Sequence, residues 1–460
     1  MMRARNGNQR TIDRRDWTRN LLRLWRGFAA AKRGSVAMTF GLSFIPLMIA
    51  VGVGIDLGRV YIVKEKLLHT TDAAGLAIGA AFDSGQDLSV VLSNYFTANF
   101  PAGGLGTVTA SSYTYVEPVI TVTATATVET TFMQIAGINS VTVNATSQIT
   151  RQENSLEVVM VLDNSGSMSG SKLTSLKSAA QSLVDILFGN ETTPANLKIG
   201  LVPFSNNVNI DPTNTAYVSN STNPNPPDNW GTTSWGGCVL ENVTSDNDTK
   251  DDFTGPWEVM YWEDDSNNNW ISSGGSFQIT SSRSPNLYCP SAAITPLTNN
   301  KTTLTTAISN LVANGGTHIN LGAIWGWRVI SPSEPFTQGV AYATADNTKA
   351  VIILSDGENT AYSFVYDAYK YPSDNVLGTT SASGVAAALN TRLSTICTNM
   401  KAAGIIVYTI MFDLSDATTE ALFQACATDT GKYYNSPTSA ELDRAFRAIA
   451  AELKKLRITG

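Results

Sequence analysis

Histidine is scarce in this sequence. The 460 residues include only two, His69 and His318. A Ser-His-Asp hydrolase needs a histidine base and many zinc sites need several imidazoles, so this scarcity excludes most enzymes of these classes. His318 lies in a predicted loop, where we expect it to have no chemical task.

Cysteine is also scarce, and its spacing argues against a thioredoxin-type or C-x-x-C metal site. The four cysteines are Cys238, Cys289, Cys397 and Cys426. In an oxidising compartment the economical pairing is Cys238 with Cys289 and Cys397 with Cys426. Each bridge would then stabilise the fold by roughly 3 to 4 kcal/mol. In the cytosol all four would instead be buried thiols.

Charged residues are few and unevenly placed. They make up 15% of the sequence, and the net charge is −7. Residues 1–33 contain ten Lys and Arg against two Asp, about +8, so the remainder carries about −15. An acidic body argues against nucleic-acid binding by the folded part. The basic head is predicted to lie against a cytoplasmic membrane surface, with nucleic-acid binding by the head as the alternative.

An uncharged run follows the basic head. Residues 34–55 contain no charged side chain, and a helix of that length crosses a bilayer core of about 30 Å. We predict an uncleaved transmembrane helix over 34–56. A cleaved signal peptide is the alternative, although its apolar run is usually shorter. Because positive charge stays in the cytoplasm, the bulk of the chain is predicted to lie outside it.

The pattern of apolar residues changes twice after this run. Residues 57–82 have helical spacing and 107–150 alternate with period two, which predicts a small pilin-like α+β subdomain over 57–150. From 154 to 460, buried strands alternate with helices, which is typical of an α/β domain with a mostly parallel, doubly wound sheet. A Trp-rich insertion at about 206–300 interrupts it, and we expect its tryptophans to form a core of their own, with an exposed recognition face as the alternative.

The central motif follows the first buried strand of this α/β domain. Residues 158–162 are apolar, and Asp163, Ser165 and Ser167 follow on alternate positions. One carboxylate and two hydroxyls at a strand end are hard ligands that suit Mg²⁺, Ca²⁺ or Mn²⁺. A phosphate-binding loop is the competing interpretation, but the spacing between its glycines and its lysine is wrong.

This Asp-x-Ser-x-Ser motif resembles the metal-ion-dependent adhesion site of von Willebrand factor type A domains. Gly-Gly-Thr at 315–317 and Ser-Asp-Gly at 355–357 resemble the second and third loops of that site. The resemblance implies a type A fold over 156–456 and a divalent cation, with Mg²⁺ favoured over Ca²⁺ or Mn²⁺. It also implies that a partner's carboxylate completes the metal shell. The implied metal ligands are Asp163, Ser165, Ser167, Thr317 and Asp356.

A second resemblance covers residues 32–80. Arg-Gly at 33–34, Asp-Leu-Gly-Arg at 56–59 and Asp-Ala-Ala at 72–74 occur in that order around the apolar run. The order is similar to the N-terminal segment of TadE/TadG-like proteins of bacterial Flp (tight-adherence) pilus assembly. Prepilin-like members carry Glu where this chain has Thr39, so we do not expect processing by a prepilin peptidase. A type A domain behind such a segment is an arrangement known from TadG-like proteins.

Together the two resemblances imply a membrane-anchored, metal-dependent protein-binding factor in pilus assembly or adhesion. Its partners would be other pilus-assembly or pilin proteins and the bacterial inner membrane, with the N-terminus cytoplasmic and the bulk periplasmic or on the cell surface. We expect neither nucleic-acid binding nor enzymatic activity. The alternatives are a structural pseudopilin with a vestigial metal site and a metal-dependent hydrolase, for which Glu358 is the nearby candidate base. An animal adhesin is a further alternative, against which the Tad-like segment argues.

Overall fold

The chain forms two compact units, residues 1–151 and 152–460, in a computed structural model. Most of the basic head and residues 220–229 of the predicted insertion lie outside the described residues. The structure describes residues 22–23, 25–27, 35–82, 86–101, 104–116, 118–150, 154–219 and 230–458.

The first unit contains a long helix packed on a three-stranded antiparallel sheet. Helix α1 runs from Ser35 to Ala81 and contains Pro46, and α2 (Leu88–Asn99) follows it. Alternate residues of the sheet join the apolar core of α1, as the period-two pattern predicts. Across the sheet the strands are β1 (Thr107–Val116), β2 (Val119–Glu129) and β3 (Ser140–Thr150).

The N-terminal part of α1 presents a continuous apolar surface. Every side chain from 36 to 51 is exposed, whereas Val63, Leu67 and Ile78 further along the same helix are buried. Among the described residues, this helix is long and apolar enough to cross a membrane. The predicted transmembrane run and the predicted helix at 57–82 are therefore parts of one continuous helix.

The second unit is a six-stranded sheet with helices on both faces. Its strands are β4 (Ser155–Asp163), β5 (Leu197–Phe204), β8 (Thr295–Thr298), β9 (Asn347–Ser355), β10 (Ile406–Phe412) and β11 (Tyr433–Ser436), while β6 (Val218–Ser219) and β7 (Trp257–Glu258) form a separate pair. The order across the sheet is β11-β10-β9-β4-β5-β8. Within this sheet β8 pairs with β5 in the antiparallel direction, and all the other neighbouring strands are parallel. The predicted doubly wound α/β fold is confirmed.

Each face of this sheet has its own apolar core. The helices are α3 (Ser171–Phe188), α4 (Lys301–Ser309), α5 (Ile319–Ile330), α6 (Ala382–Ala402), α7 (Ala417–Cys426) and α8 (Ser439–Ile458). Val158 and Met160 of β4 pack with α3, α4 and α8, and Val159 and Val161 pack with α5, α6 and α7. A strand buried on both faces is apolar at every position. The run at 158–162 therefore belongs to the centre of the sheet.

The Trp-rich insertion is shorter than predicted. Strand β8 lies within the range 206–300 that was assigned to the insertion, yet it pairs with β5 as the edge strand of the sheet. The inserted segment therefore ends before Thr295. Sequence patterns could not show this, because a four-residue edge strand with a proline has little β signal of its own.

The tryptophans of the insertion do not form one separate core. Trp257 packs on Trp325 of α5, with ring centroids 5.0 Å apart, and Trp230 and Trp235 belong to the same main core. Trp262 belongs to a smaller, separate hydrophobic cluster. Trp230, Trp235 and Trp257 thus enlarge the core of the sheet. An indole ring has a large apolar area, and it buries more of that area against the sheet core than against the short turns of the insertion.

An ion pair and a disulfide hold the insertion in place. The guanidinium of Arg328 on α5 donates to Glu241 Oε1 at 2.9 Å, and both side chains are fully buried. Removing one partner of such a pair would leave an uncompensated buried charge. Both expected disulfides, Cys238–Cys289 and Cys397–Cys426, are formed.

Candidate metal centre

The first predicted metal loop begins at the carboxyl end of β4 and is folded around Asp163. Asp163 Oδ1 accepts the backbone N–H of Ser165 at 2.7 Å, and Oδ2 accepts the hydroxyl of Ser355 at 2.5 Å. The Asp163 side chain is fully buried. Its carboxylate is therefore fixed both by its own loop and by the end of the neighbouring strand β9.

Three of the predicted ligand oxygens form a hydrogen-bonded chain. Ser165 Oγ lies 2.9 Å from Ser167 Oγ, and Ser167 Oγ lies 2.6 Å from Asp356 Oδ1. Adjacent oxygens around an octahedral Mg²⁺, with Mg–O distances near 2.1 Å, lie about 3 Å apart. The spacing of these oxygens therefore fits a shared cation. Ser167 is exposed whereas Ser165 is buried, so the chain of oxygens reaches solvent at Ser167.

The second loop is attached to the first by its backbone. Gly166 N donates to Gly315 O at 2.9 Å. Gly315 has a φ of +82°, and a Cβ on it would lie 2.3 Å from Asn206 Oδ1. Only glycine fits this conformation and this close contact. The Gly-Gly-Thr sequence is thus explained by how closely the loop approaches its neighbours.

Thr317, the predicted ligand of the second loop, lies beside the other two loops. Its hydroxyl oxygen is 3.4 Å from the point where a Cβ on Gly357 would lie, and Ser167 Oγ is 3.9 Å from the same point. Thr317 N also donates to Thr360 Oγ1 at 3.1 Å. All five predicted ligand side chains therefore converge at one edge of the sheet. That they bind a metal remains a prediction.

The electrostatics of this edge favour a cation. Burial raises the pKa of Asp163 to about 6, hydrogen bonds from Ser165 and Ser355 oppose the shift, and the charge of Asp356 adds to it. A bound cation would relieve the cost of two acidic groups so close together. Among the described residues, no group of three or more His, Cys, Asp or Glu is placed to hold a metal. A site here thus depends on hydroxyl oxygens as well as carboxylates.

Lys172 is part of this site, although the sequence motifs did not assign it a role. Its Nζ donates to Asp356 Oδ2 at 2.9 Å and lies 3.2 Å from Asp413 Oδ2. Burial lowers the pKa of Lys172, but the hydrogen bonds and charges of the two carboxylates outweigh this and raise it. Asp413 directly follows β10. Like Asp356, Asp413 is an acidic residue at the carboxyl end of a buried strand, and this is the sequence feature that could have identified it.

His318 supports the second loop from within the protein. Its Nε2 donates to the carbonyl of Thr360 at 3.0 Å, and its side chain is fully buried. Burial lowers the pKa of His318 to about 4, so the ring is neutral near pH 7. Asp367 Oδ2 lies 3.5 Å from the same nitrogen. The histidine therefore helps to fix the backbone around Thr317.

Two aromatic side chains next to the second loop are exposed. Tyr362 is 44% exposed and Phe364 57% exposed, and their ring centroids are 5.7 Å apart. A Cβ on Gly316 would lie 3.4 Å from Tyr362 Cε2. Neither residue belongs to a motif that the sequence marks as functional. The sequence feature that could have identified the pair is the presence of large apolar side chains in the loop that follows the third metal motif.

Two segments of the chain match family models. Residues 34–81 match the TadE/G-like Flp pilus-assembly family, and residues 157–224 match the von Willebrand factor type A domain. The chain joins a TadE/G-like segment to a type A domain. Both resemblances inferred from the sequence are thereby confirmed. The second match ends before Thr317 and Asp356, so the placement of these two residues beside the first loop comes from the structure.

Several solved structures are similar to this chain at low identity and low TM-score. The vWF domain of the type V pili tip protein Mfa5 from Porphyromonas gingivalis is 15% identical, with a TM-score of 0.37 over 67% of this chain and 98% of that one. The pilus adhesin SpaC from Lactobacillus rhamnosus GG is 11% identical, with a TM-score of 0.36 over 78% of this chain and 35% of that one. Proximal thread matrix protein 1 from the mussel byssus, with a zinc-occupied MIDAS motif, is 14% identical, with a TM-score of 0.32 over 65% of this chain and 48% of that one. No curated protein matches the chain significantly.

Proposed function

We propose that this chain is a membrane-anchored, metal-dependent protein-binding factor in bacterial Flp/Tad pilus assembly or adhesion. The observation that carries the proposal is the chain of oxygens from Ser165 through Ser167 to Asp356, with Thr317 beside it. It brings the hydroxyl and carboxylate groups of three separate loops to one solvent-accessible edge. The TadE/G-like segment supports a role at the pilus.

The site would hold Mg²⁺ through Ser165, Ser167 and Thr317, with Asp163 and Asp356 binding directly or through water. When bound, the ion supplies a positive charge that attracts an anionic ligand. Asp163 is buried and Ser167 is exposed, so an incoming group reaches the site from the Ser167 side. A carboxylate from an Asp or Glu of a pilus-assembly or pilin protein fits this approach.

The aromatic pair Tyr362 and Phe364 would contact the same partner. Both side chains are exposed beside the second loop, and interfaces favour aromatic side chains next to a polar anchor. We therefore expect the partner's acidic residue to be flanked by apolar side chains. The charge of the carboxylate would provide the metal dependence, and the flanking residues would provide specificity.

Helix α1 would anchor the protein in the inner membrane by a single pass. Its exposed apolar surface and the TadE/G-like match support the anchor. The basic residues before it support a cytoplasmic N-terminus. The two disulfides support a periplasmic or cell-surface location for the second unit.

Affinity purification of the intact protein from its native membranes tests the proposal. Purification is carried out in Mg²⁺, with and without EDTA, and the co-purifying proteins are compared. We expect a pilus-assembly or pilin protein to be captured in Mg²⁺ and lost in EDTA. Capture that is equal under both conditions would refute metal-dependent binding.

A structural pseudopilin with a vestigial metal site is the second candidate. The contact between Lys172 Nζ and Asp356 favours it, because a resident ammonium already neutralises this carboxylate. Calorimetric titration with Mg²⁺ and Mn²⁺ separates the two candidates, since only the first predicts binding. Glu358, the base considered for a hydrolase, is solvent-exposed, which gives that alternative no support.

A further inference from the structure

The loop between β2 and β3 lies against the apolar part of α1. Three successive backbone N–H groups of this loop, those of Thr131, Phe132 and Met133, donate to the carboxylate of Asp56 at 2.7 to 3.1 Å. The Asp56 side chain is buried by these contacts. Hydrogen bonds to a charged acceptor are stronger than neutral ones. The loop is thus fixed to the helix at the end of the uncharged run.

Phe132 extends this contact along the helix towards the N-terminus. A Cβ on Gly52 would lie 2.6 Å from Phe132 Cβ, so the loop approaches the helix backbone as closely as a glycine allows. Gly52 lies within the uncharged run 34–55. It precedes Asp56 by four residues, which is about 6 Å along a helix axis. The loop therefore reaches past the exit point of the predicted transmembrane segment.

The tip of this loop, residues 132–138, exposes apolar side chains where the membrane surface would be. Ile135 is 74% exposed, and Phe132 and Ile138 are also exposed. Residues 130–140 contain no charged side chain. Exposed apolar groups next to a transmembrane helix, without charge among them, suit the interfacial region of a bilayer.

We propose that the loop tip 132–138 inserts into the outer interface of the membrane and forms a second membrane contact beside α1. The lipid bilayer is what contacts this tip, because the exposed tip is continuous with the apolar surface of the anchor helix. Asp56 is the positioning residue that holds the tip at this depth. The inference rests on the membrane anchor of the proposed function and is independent of the metal site.

Depth-dependent fluorescence quenching in proteoliposomes tests this contact. All four native cysteines are disulfide-bonded, so a single introduced cysteine in the full chain can be labelled with bimane. The vesicles contain phosphatidylethanolamine and phosphatidylglycerol, without brominated lipid, with lipid brominated near the headgroup, or with lipid brominated deep in the acyl chains. The labelled variants are Ile135→Cys, Val116→Cys and Leu42→Cys. Val116 is as exposed as Ile135, at 74%, but is the last residue of β1, at the other end of the sheet from this loop. Leu42 lies within the apolar run.

We expect the label at position 135 to be quenched at least twofold more strongly than the label at position 116. Equal quenching at these two positions, with quenching by deeper bromines at position 42, would overturn the inference and leave the anchor intact. A second copy of the chain covering the loop would give that same result. Absence of quenching at position 42 would overturn the anchor of the proposed function, and the loop inference with it.

A second variant tests the role of Asp56. Asp56→Asn removes the charge that accepts three N–H groups but preserves the size of the side chain. We expect quenching at position 135 to fall at least twofold in this background while quenching at position 42 is unchanged. Unchanged quenching at position 135 would show that Asp56 does not position the loop in the membrane.

Discussion

Ser167 Oγ lies 2.6 Å from Asp356 Oδ1 and so joins two loops that are 189 residues apart in the chain. The contact exists because β4 and β9 are parallel neighbours in the sheet. Their carboxyl ends meet at one edge, and the loops that follow them meet there too. The order of the strands, more than the local sequence of either loop, brings the candidate site together.

Ser167→Ala should weaken metal binding at least tenfold. The change removes the hydroxyl that lies between Ser165 Oγ and Asp356 Oδ1. Because Ser167 is exposed, we expect the free energy of unfolding in EDTA to change by less than about 1 kcal/mol. Calorimetric titration with Mn²⁺ measures the affinity. Ser169→Ala, an exposed serine in the same loop, is the matched control, and an equal affinity in both variants would exclude Ser167 as a ligand.

Lys172→Met should tighten metal binding. The ammonium of Lys172 is bonded to Asp356 at 2.9 Å and competes with a cation for that carboxylate. Its removal should increase the affinity about tenfold, equivalent to about 1.4 kcal/mol. Lys177→Met, on the same helix, is the control, because Lys177 donates to the backbone carbonyl of Ser309 instead. Weaker binding would mean that Lys172 holds Asp356 in position for the metal.

Replacing Tyr362 and Phe364 together by Ala should weaken partner capture without weakening metal binding. The two rings are exposed and contribute little to the core, so we expect a near-normal unfolding transition. The partner identified by its sensitivity to EDTA is titrated against both proteins in Mg²⁺. Phe277→Ala, another exposed aromatic residue, is the control. Full partner affinity in the double variant would remove the aromatic pair from the interface.

Asp367→Asn should reduce the pH dependence of stability. Burial raises the pKa of Asp367 from 3.8 to about 8. Between these values the folded protein keeps a proton that the unfolded chain releases, so the free energy of unfolding falls as pH rises. Asparagine has no such proton and can still accept the N–H of Tyr369.

Urea unfolding at pH 5 and pH 8 in EDTA measures this difference. The wild-type protein should lose more stability between the two pH values than Asp367→Asn does. Asp163, whose pKa is about 6, is present in both proteins. Its contribution to the pH dependence of stability therefore cancels in the comparison. Equal losses in the two proteins would show that Asp367 is ionised in the folded state.

Much of the fold could be predicted from the sequence, because each buried strand ends in a recognisable polar loop. The apolar run at 158–162 and the Asp-Gly turn after β9 both follow from the simple pattern of a buried parallel strand. The glycines before Thr317 likewise mark a loop whose backbone conformation excludes a side chain. Local signals located Asp163, Ser165 and Ser167, and the resemblance to the type A metal site located Thr317 and Asp356.

Lys172 and the packing of Trp257 could not be predicted in the same way. The interaction of Lys172 with Asp356 and Asp413 depends on which strands are neighbours, and periodicity does not contain that information. Trp257 lies in an irregular segment, so its contact with Trp325 has no periodic signal either. Long-range contacts made by side chains in irregular segments could be identified only from the structure.

Helix α1 is continuous from the apolar run into the core of the first sheet. Each residue of an α-helix turns the chain by about 100°. A single residue inserted between Arg59 and Val63 would therefore rotate the exposed apolar side chains of residues 36–51 by about that angle relative to the sheet. The helical phase of this junction thus determines the direction that the apolar surface of α1 faces relative to the sheet, so the length of the junction cannot vary by one residue without turning that surface.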